Sequence, residues 1–229
     1  LDEKGSLKTL DESATAITSS MTTWNAGWYV VSEDATISDR ITVNGEVHLI
    51  LADGATLTAS KGITVSASAN FNVYAQSTDE ATMGKLIATA ESRYNAGIGG
   101  SKGSIAGDIT ISGGKITAIG YDGAGIGSGY KGTVGTITIN DGVIDAKDDY
   151  AGDGAGIGGG RYGSASVIDI KGGVIQAKGI GMATTSYGNP TCGNINIYDG
   201  VKRIIVTSKD DGKGLASSSA VTFYSGSSA

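Results

Sequence analysis

The sequence predicts an all-β fold, a right-handed parallel β-helix, and three observations carry that prediction. The strings Ala96-Gly97-Ile98-Gly99-Gly100, Ala124-Gly125-Ile126-Gly127-Ser128 and Ala155-Gly156-Ile157-Gly158-Gly159 are copies of one unit. Repetition at a period of roughly 20–50 residues marks a solenoid, a propeller or an array. Each copy is followed by two short runs in which every second residue is apolar, the period of a strand with one buried face. The spacing is also coherent: Ile98 to Ile126, Ile109 to Ile137 and Ile116 to Ile144 all advance by 28 residues. Ile126 to Ile157, Ile137 to Ile168 and Ile144 to Ile175 all advance by 31, so the 3 extra residues fall together within 147–154. Strands that keep register while one corner varies are what stacked parallel coils require.

Taken in order, residues 1–27 are Ser/Thr-rich and lie outside the coil pattern, with Trp24 and Trp28 flanking its start. They are expected to cap the apolar end of the first coil, with the β-helix occupying 28–229. Ile41-Thr42-Val43, Val47-His48-Leu49 and Thr56-Leu57 form one coil; Ile63-Thr64-Val65, Phe71-Asn72-Val73 and Leu86-Ile87-Ala88 form the next. The three Gly-rich units follow, with corners at Gly113-Gly114, Asp141-Gly142 and Gly172-Gly173. A Gly holds the second corner position each time, which predicts positive φ there. Ile180, Ile195-Asn196-Ile197 and Ile204-Ile205-Val206 make a distorted sixth coil, and Leu215 with Val221-Thr222-Phe223 begins a seventh. Residues 184–193 are expected to project as a loop with Cys192 unpaired.

Three short strands per coil and six to seven coils at about 4.8 Å each give a rod of roughly 30–34 Å. Handedness follows the general rule for parallel crossovers. A propeller blade needs four antiparallel strands, and this unit supplies three.

Composition narrows the functional classes. Thirty-eight Gly with a single Pro is not a collagen pattern. A net charge of −6 argues against nucleic acid and anionic membrane surfaces, which need a basic face. One cysteine excludes an intrachain disulfide framework and a cysteine metal cluster. No apolar run approaches the length of a transmembrane helix, and no N-terminal signal pattern is present, although Leu1-Asp2-Glu3-Lys4 fits the start of a processed chain.

The string Leu49-Ile50-Leu51-Ala52-Asp53-Gly54-Ala55-Thr56-Leu57, followed by the Ala-Gly-Ile-Gly units, resembles repeat regions in cell-surface and secreted proteins of gut commensal bacteria, a group of adhesins and carbohydrate-binding proteins. The resemblance covers residues 29–206, and its β-helix is similar to the pectate-lyase-like superfamily. It implies a fold and an extracellular or cell-surface setting. It carries over no catalytic residue.

The chemistry-bearing residues point to binding more than to catalysis. His48 lies between Val47 and Leu49, so alternation turns it outward, a solvated strand residue without a second His or a Cys nearby to share a metal. Cys192 has no visible base to activate it and reads as a partly buried loop thiol. Gly154-x-Gly156-x-x-Gly159 formally matches a dinucleotide fingerprint, but no helix signal follows and the string is a repeat element. A polysaccharide lyase would cluster carboxylates for Ca²⁺ beside a basic residue. The outward positions Thr110, Thr138, Asp169 and Asn196, then Thr117, Asp145 and Gln176, do not supply that cluster, and they interrupt the Thr array an ice-binding face would need. No catalytic residue, metal site or cofactor is assigned.

The candidate surface is the Gly-rich face, read as a floor between two rims. Tyr94, Tyr121-Asp122 and Asp148-Asp149-Tyr150 precede the Gly-rich strings, while Lys102, Tyr130-Lys131 and Arg161-Tyr162 follow them. Tyr94, Tyr121, Asp122, Tyr130, Lys131, Tyr150, Arg161 and Tyr162 are therefore the candidate ligand-binding residues. Tyr offers an apolar ring and a hydroxyl, suited to sugar rings or a protein partner; Tyr packed at solenoid corners is the structural alternative. The expected function is a non-enzymatic extracellular binding or adhesion module whose partner is a glycan or a host or cell-surface protein. The alternatives are a pectate-lyase-like polysaccharide-active enzyme and a surface spacer.

The register makes one mutational prediction. Ile109, Ile137, Ile168 and Ile195 should share one inward column, so Ile137→Asp buries an unpaired carboxylate where an Ile contributes about 1.5–3 kcal/mol. Circular dichroism should show the variant without a cooperative melt; a wild-type melt would mean the alignment is wrong.

Overall fold

A computed structural model describes residues 13–149, 153–183, 190–207 and 214–224, and every regular element within them is a β-strand. The strands stack in parallel, coil upon coil, as a right-handed parallel β-helix. The first sheet bends around a corner. One face runs from Gly27–Val31 through Glu46–Leu51 and Asn70–Ala75 into Asp108–Gly120, Ile137–Asp148, Ile168–Ile170, Ile195–Ile197 and Val221–Phe223. The other runs through Ala35–Ile37, Thr56–Ala59 and Lys85–Thr89 to Gly173–Lys178 and Val201–Thr207. Asp108–Gly120 and Ile137–Asp148 pass unbroken around the corner and join the faces into one 14-stranded sheet. The corner Gly residues have the positive φ expected: +93° at Gly114, +121° at Gly142 and +88° at Gly173.

The second sheet has 8 strands, from Thr23–Trp24 through Ile41–Val43, Ile63–Val65, Ile98–Gly99, Ile126–Gly127, Ile157–Gly158 and Ile180–Gly181 to Leu215–Ala216. These 8 strands mark 8 coils, one more than the upper expectation. The added coil is the first, made of Thr23–Trp24, Gly27–Val31 and Ala35–Ile37. Its first strand contributes one inward side chain, Trp24, and a single residue cannot display alternation. Of the segment expected as a cap, residues 1–12 lie outside the described residues. The remainder supplies Thr15–Ala16, parallel to Gly27–Val31, and Thr23–Trp24, parallel to Ile41–Val43. A third sheet of 3 two-residue strands, Ile105–Ala106, Thr133–Val134 and Ser164–Ala165, escaped the sequence reading for the same reason.

The Ile columns fall where the spacing puts them. Ile109, Ile137, Ile168 and Ile195 are consecutive partners, as are Ile116, Ile144, Ile175 and Ile204. All but Ile204 are at most 1% exposed. Ile204 and Val206 lie on Val201–Thr207, whose strand pairing is with Gly173–Lys178 alone, and they are only half-buried. At the other end Trp24 is fully buried: it stacks on Tyr29 at 5.8 Å, and its indole N–H donates to the Met21 carbonyl at 3.1 Å.

One charged side chain ties three coils together. The Arg40 guanidinium donates to Thr64 Oγ1 at 2.6 Å and to the carbonyls of Lys61, Ile63 and Ala96 at 2.7, 3.2 and 3.1 Å. Burial pulls its pKa down to about 10, so it stays charged at neutral pH, held by carbonyl dipoles.

Cys192 corrects an expectation. Residues 184–189 of the expected loop lie outside the described residues, but Cys192 itself bridges Ala165 in parallel and is fully buried. It extends the column Ala106, Val134, Ala165 that lines the third sheet. Its amide donates to Ser218 Oγ at 3.1 Å, and its carbonyl accepts from the Ser218 amide at 2.9 Å. Thiols behave as small hydrophobes, and this one fills an Ala/Val position.

Burial pushes the Cys192 thiol up from 9.0 to about 11. The native protein then keeps this proton while the unfolded chain loses it, so stability falls as pH rises from 9 to 11. Denaturant titration should show wild type losing on the order of 1–2 kcal/mol more than Cys192→Ala across that interval. Native protein at pH 8 should resist iodoacetamide until unfolded; rapid alkylation would contradict the buried position.

Candidate functional site

The Gly-rich units are not an open floor. Each closes into a tight loop, with the amides of Ala96, Ala124 and Ala155 donating to the carbonyls of Gly100, Ser128 and Gly159 at 2.9, 3.0 and 2.9 Å. Every residue from Ala96 to Gly100, from Ala124 to Ser128 and from Ala155 to Gly159 is buried. The Gly content reflects coil-to-coil contact: a Cβ on Gly127 would collide with the Gly158 carbonyl oxygen, and Gly99 and Gly158 meet the same obstacle in the coils they touch. Closing the loops also draws the two expected rims together on one side.

A turn follows each unit. The amides of Ser104, Gly132 and Gly163 donate to the carbonyls of Ser101, Gly129 and Gly160 at 3.1, 3.0 and 2.7 Å. The third turn residue is left-handed, with φ +65° at Gly103, +55° at Lys131 and +57° at Tyr162. Consecutive turns are fastened across coils. The Tyr130 amide donates to the Tyr94 carbonyl at 2.9 Å, and the Arg161 amide to the Asp122 carbonyl at 2.7 Å. A residue preceding one Gly-rich unit thus anchors the turn that follows the next.

These turns assemble a ladder of half-buried tyrosines. Tyr94 and Tyr130 lie 5.0 Å apart at 60°, and Tyr130 and Tyr162 lie 5.5 Å apart at 85°. Cations sit over the rings. Lys102 Nζ is 4.5 Å from the Tyr94 centroid, Lys131 Nζ is 5.4 and 5.8 Å from those of Tyr130 and Tyr162, and the Arg161 guanidinium is 5.1 Å from that of Tyr162. Lys102 and Lys131 are exposed, and neither forms an ion pair among the described residues. Tyr121 is half-buried beside the ladder, its amide donating to the Asn95 carbonyl at 3.2 Å. Tyr150 lies outside the described residues.

Asp122 plays another part than a rim residue. It is 1% exposed, and its Oδ2 accepts from Arg93 Nε at 3.0 Å, with an Arg161 terminal nitrogen at 3.9 Å. Oδ1 is buried without a hydrogen-bond partner among the described residues, and Arg161 Nε is 3.1 Å from Asp153 Oδ2. A carboxylate 1% exposed behind two guanidiniums is out of reach of a substrate. It fixes Arg161 over Tyr162.

Beyond the turns, the third sheet forms the floor of a shallow open depression lined by Thr133, Ser164, Ser166, Thr191, Ser218 and Ser219. Thr133 and Ser164 follow Lys131 and Tyr162 by two residues, so the ladder borders this depression, whose lining also includes Val134, Ala165 and Gly193. The sequence reading missed this floor because Ser and Thr in two-residue strands carry no periodic signal.

His48 also departs from expectation. It faces outward, but only 18% of its side chain is exposed, because it stacks on Trp28 at 4.2 Å and 16° with Tyr74 alongside at 5.9 Å. Among the described residues no group of three or more His, Cys, Asp or Glu is placed to hold a metal ion, and no helix is long and apolar enough to cross a membrane.

A beta helix repeat model matches residues 109–130 and 137–161. No curated protein and no solved structure matches the chain. The sequence match and the stacked parallel strands agree that this is a β-helix repeat protein.

The Gly-rich contacts predict a sharp contrast between two substitutions. Gly127→Ala forces a methyl group into backbone at a φ of +143° and should cost about 3 kcal/mol or more. A Cβ on Gly103 meets nothing within 4 Å, and Gly103→Ala should cost only about 1 kcal/mol for its left-handed φ. Denaturant midpoints test the pair; equal losses would refute the steric account.

Proposed function

We propose that this protein is a non-enzymatic, secreted or surface-displayed binding module that takes a glycan chain across successive coils at the tyrosine–cation corner. The observation that carries the reading is the Tyr94–Tyr130–Tyr162 ladder with the exposed ammonium groups of Lys102 and Lys131, which form no ion pair among the described residues, beside a depression rich in Ser and Thr. Ring edges and phenol groups recur once per coil, at about 4.8 Å. A polymer of sugar units can therefore make the same contact repeatedly, and repeated weak contacts on one chain gain from high effective concentration. The ammoniums add charge-assisted hydrogen bonds to sugar oxygens. The β-helix repeat architecture and the resemblance to surface proteins support the same reading. The buried Asp122, paired with Arg93 and near Arg161, speaks for binding over catalysis, because that carboxylate is only 1% exposed.

A glycan array followed by affinity electrophoresis tests this. Tyr130→Ala with Tyr162→Ala should weaken retention by about tenfold or more, from the loss of two ring contacts. The melting temperature should move by only a few degrees, because half-buried corner residues add little to the Ile core. Added salt should weaken retention of charged glycans through Lys102 and Lys131. Unchanged retention in the double variant would assign the ladder to corner packing.

A further inference from the structure

Every ring of the tyrosine ladder has a cation over it. Lys102 Nζ stands over Tyr94, Lys131 Nζ over both Tyr130 and Tyr162, and the Arg161 guanidinium over Tyr162. A neutral sugar that set its C–H face on the covered side of these rings would displace the cations and forfeit their attraction to the rings. The groups already turned to solvent are the ammoniums: Lys102 and Lys131 are exposed, while the three rings are half-buried.

The charges of the corner are not equally met. Arg161 Nε lies 3.1 Å from Asp153 Oδ2, and Arg93 pairs with Asp122 at 3.0 Å. Lys102 and Lys131 form no ion pair among the described residues, in a chain where Asp and Glu outnumber Lys and Arg by 23 to 17. Lys61, by contrast, holds two carboxylates, Asp39 at 3.0 Å and Glu91 at 3.2 Å. Lys131 is also held in place. Its backbone is left-handed, φ +55°, a conformation unfavourable to most residues but Gly, and its ammonium is shared by two rings. Lys102, Lys131 and Arg161 come one to a coil, so positive charge recurs along the stack at the coil separation of about 4.8 Å, close to the length of one sugar unit in a chain.

We propose that, given the glycan reading of the corner on which this rests, the chain taken there is acidic, with a carboxylate or sulfate on successive sugar units set against the ammoniums of Lys102 and Lys131. An exposed ion pair contributes little alone, but a polymer that makes several in a row gains from the high effective concentration of its later contacts. The hydroxyls beside each acidic group can donate and accept at Thr133 and Ser164, in the depression that the ladder borders. A run of ionised peptide side chains offers acceptors alone.

Calorimetric titration of the full chain compares glycans matched in linkage: a β-1,4-linked glucuronate hexasaccharide against cellohexaose, and dextran sulfate against dextran. At low salt at least one acidic glycan should bind about fivefold or more tighter than its neutral counterpart, and added salt should shrink the preference. The two pairs tell carboxylate from sulfate. Lys102→Gln with Lys131→Gln should abolish the preference with the fold intact by circular dichroism, since both side chains are exposed. Lys131→Gly removes one charge while suiting the left-handed turn, and should reduce the preference as well. Lys85→Gln with Lys115→Gln takes two exposed charges from another pair of strands and should leave it intact; an equal loss there would assign the preference to net charge and overturn the proposal. Neutral glycans binding as tightly as acidic ones overturn it and leave the glycan reading standing, whereas no binding by any of the four overturns both. A preference that survives the loss of Lys102 and Lys131, or polyglutamate binding as tightly as the acidic glycans, also overturns it.

Discussion

Main-chain hydrogen bonds between consecutive coils hold them at the separation of paired strands, about 4.8 Å, and every side chain must fit within that separation. The solution differs around the coil. Facing the interior of the first sheet, Ile stacks on Ile in columns, since β-branched side chains fill a pleated inner surface well. At Gly99, Gly127 and Gly158 in the Gly-rich loops the chain turns so tightly that the carbonyl of the next coil occupies the place of a Cβ, and a side chain is excluded there. At the turns beyond, side chains point clear of the stack, and there the tyrosines and cations collect. Core, loop and surface are three responses to one spacing.

That spacing also explains what could be read from the sequence. The Ile columns were legible because each inward strand of the repeat is long enough to alternate, and equal advances of 28 and 31 residues fix register without any structure. The first coil and the third sheet were not, because strands such as Thr23–Trp24 and Thr133–Val134 present one inward residue each. Cys192 looked like a loop residue because its neighbours break the repeat, yet it continues the column through Ala165. For the candidate surface, the sequence set Tyr, Lys and Arg on both flanks of each Gly-rich string. It missed that closing each Gly-rich loop folds both flanks onto one side, which turned two expected rims into a single ladder. Three-dimensional closure of a loop leaves no trace in periodicity.

The charges at the corner are organised from the inside outward. Asp122 is buried, its carboxylate paired with Arg93 and near Arg161, and its own carbonyl holds the Arg161 amide. Arg161 in turn lies over Tyr162. A sealed carboxylate therefore positions a partly exposed ring through an intervening guanidinium, while Lys102 and Lys131 form no ion pair among the described residues. In an acidic chain of net charge −6, that leaves a small locally basic strip, and local field matters more than net charge for what approaches within a Debye length.

The turns after the Gly-rich loops share one backbone but not one set of side chains. Lys102, Tyr130 and Arg161 occupy the second place, and Gly103, Lys131 and Tyr162 the third, with nearly the same φ at the third. A position that accepts Gly, Lys and Tyr without changing its conformation is a socket, and the helix presents a row of such sockets at fixed pitch. Chemical identity there is decoupled from folding, so a change of side chain alters what the rod offers its surroundings while the rod itself stays the same. Recognition in such a molecule can diversify by rewriting the sockets, in the way a keyboard is relabelled without rebuilding its keys.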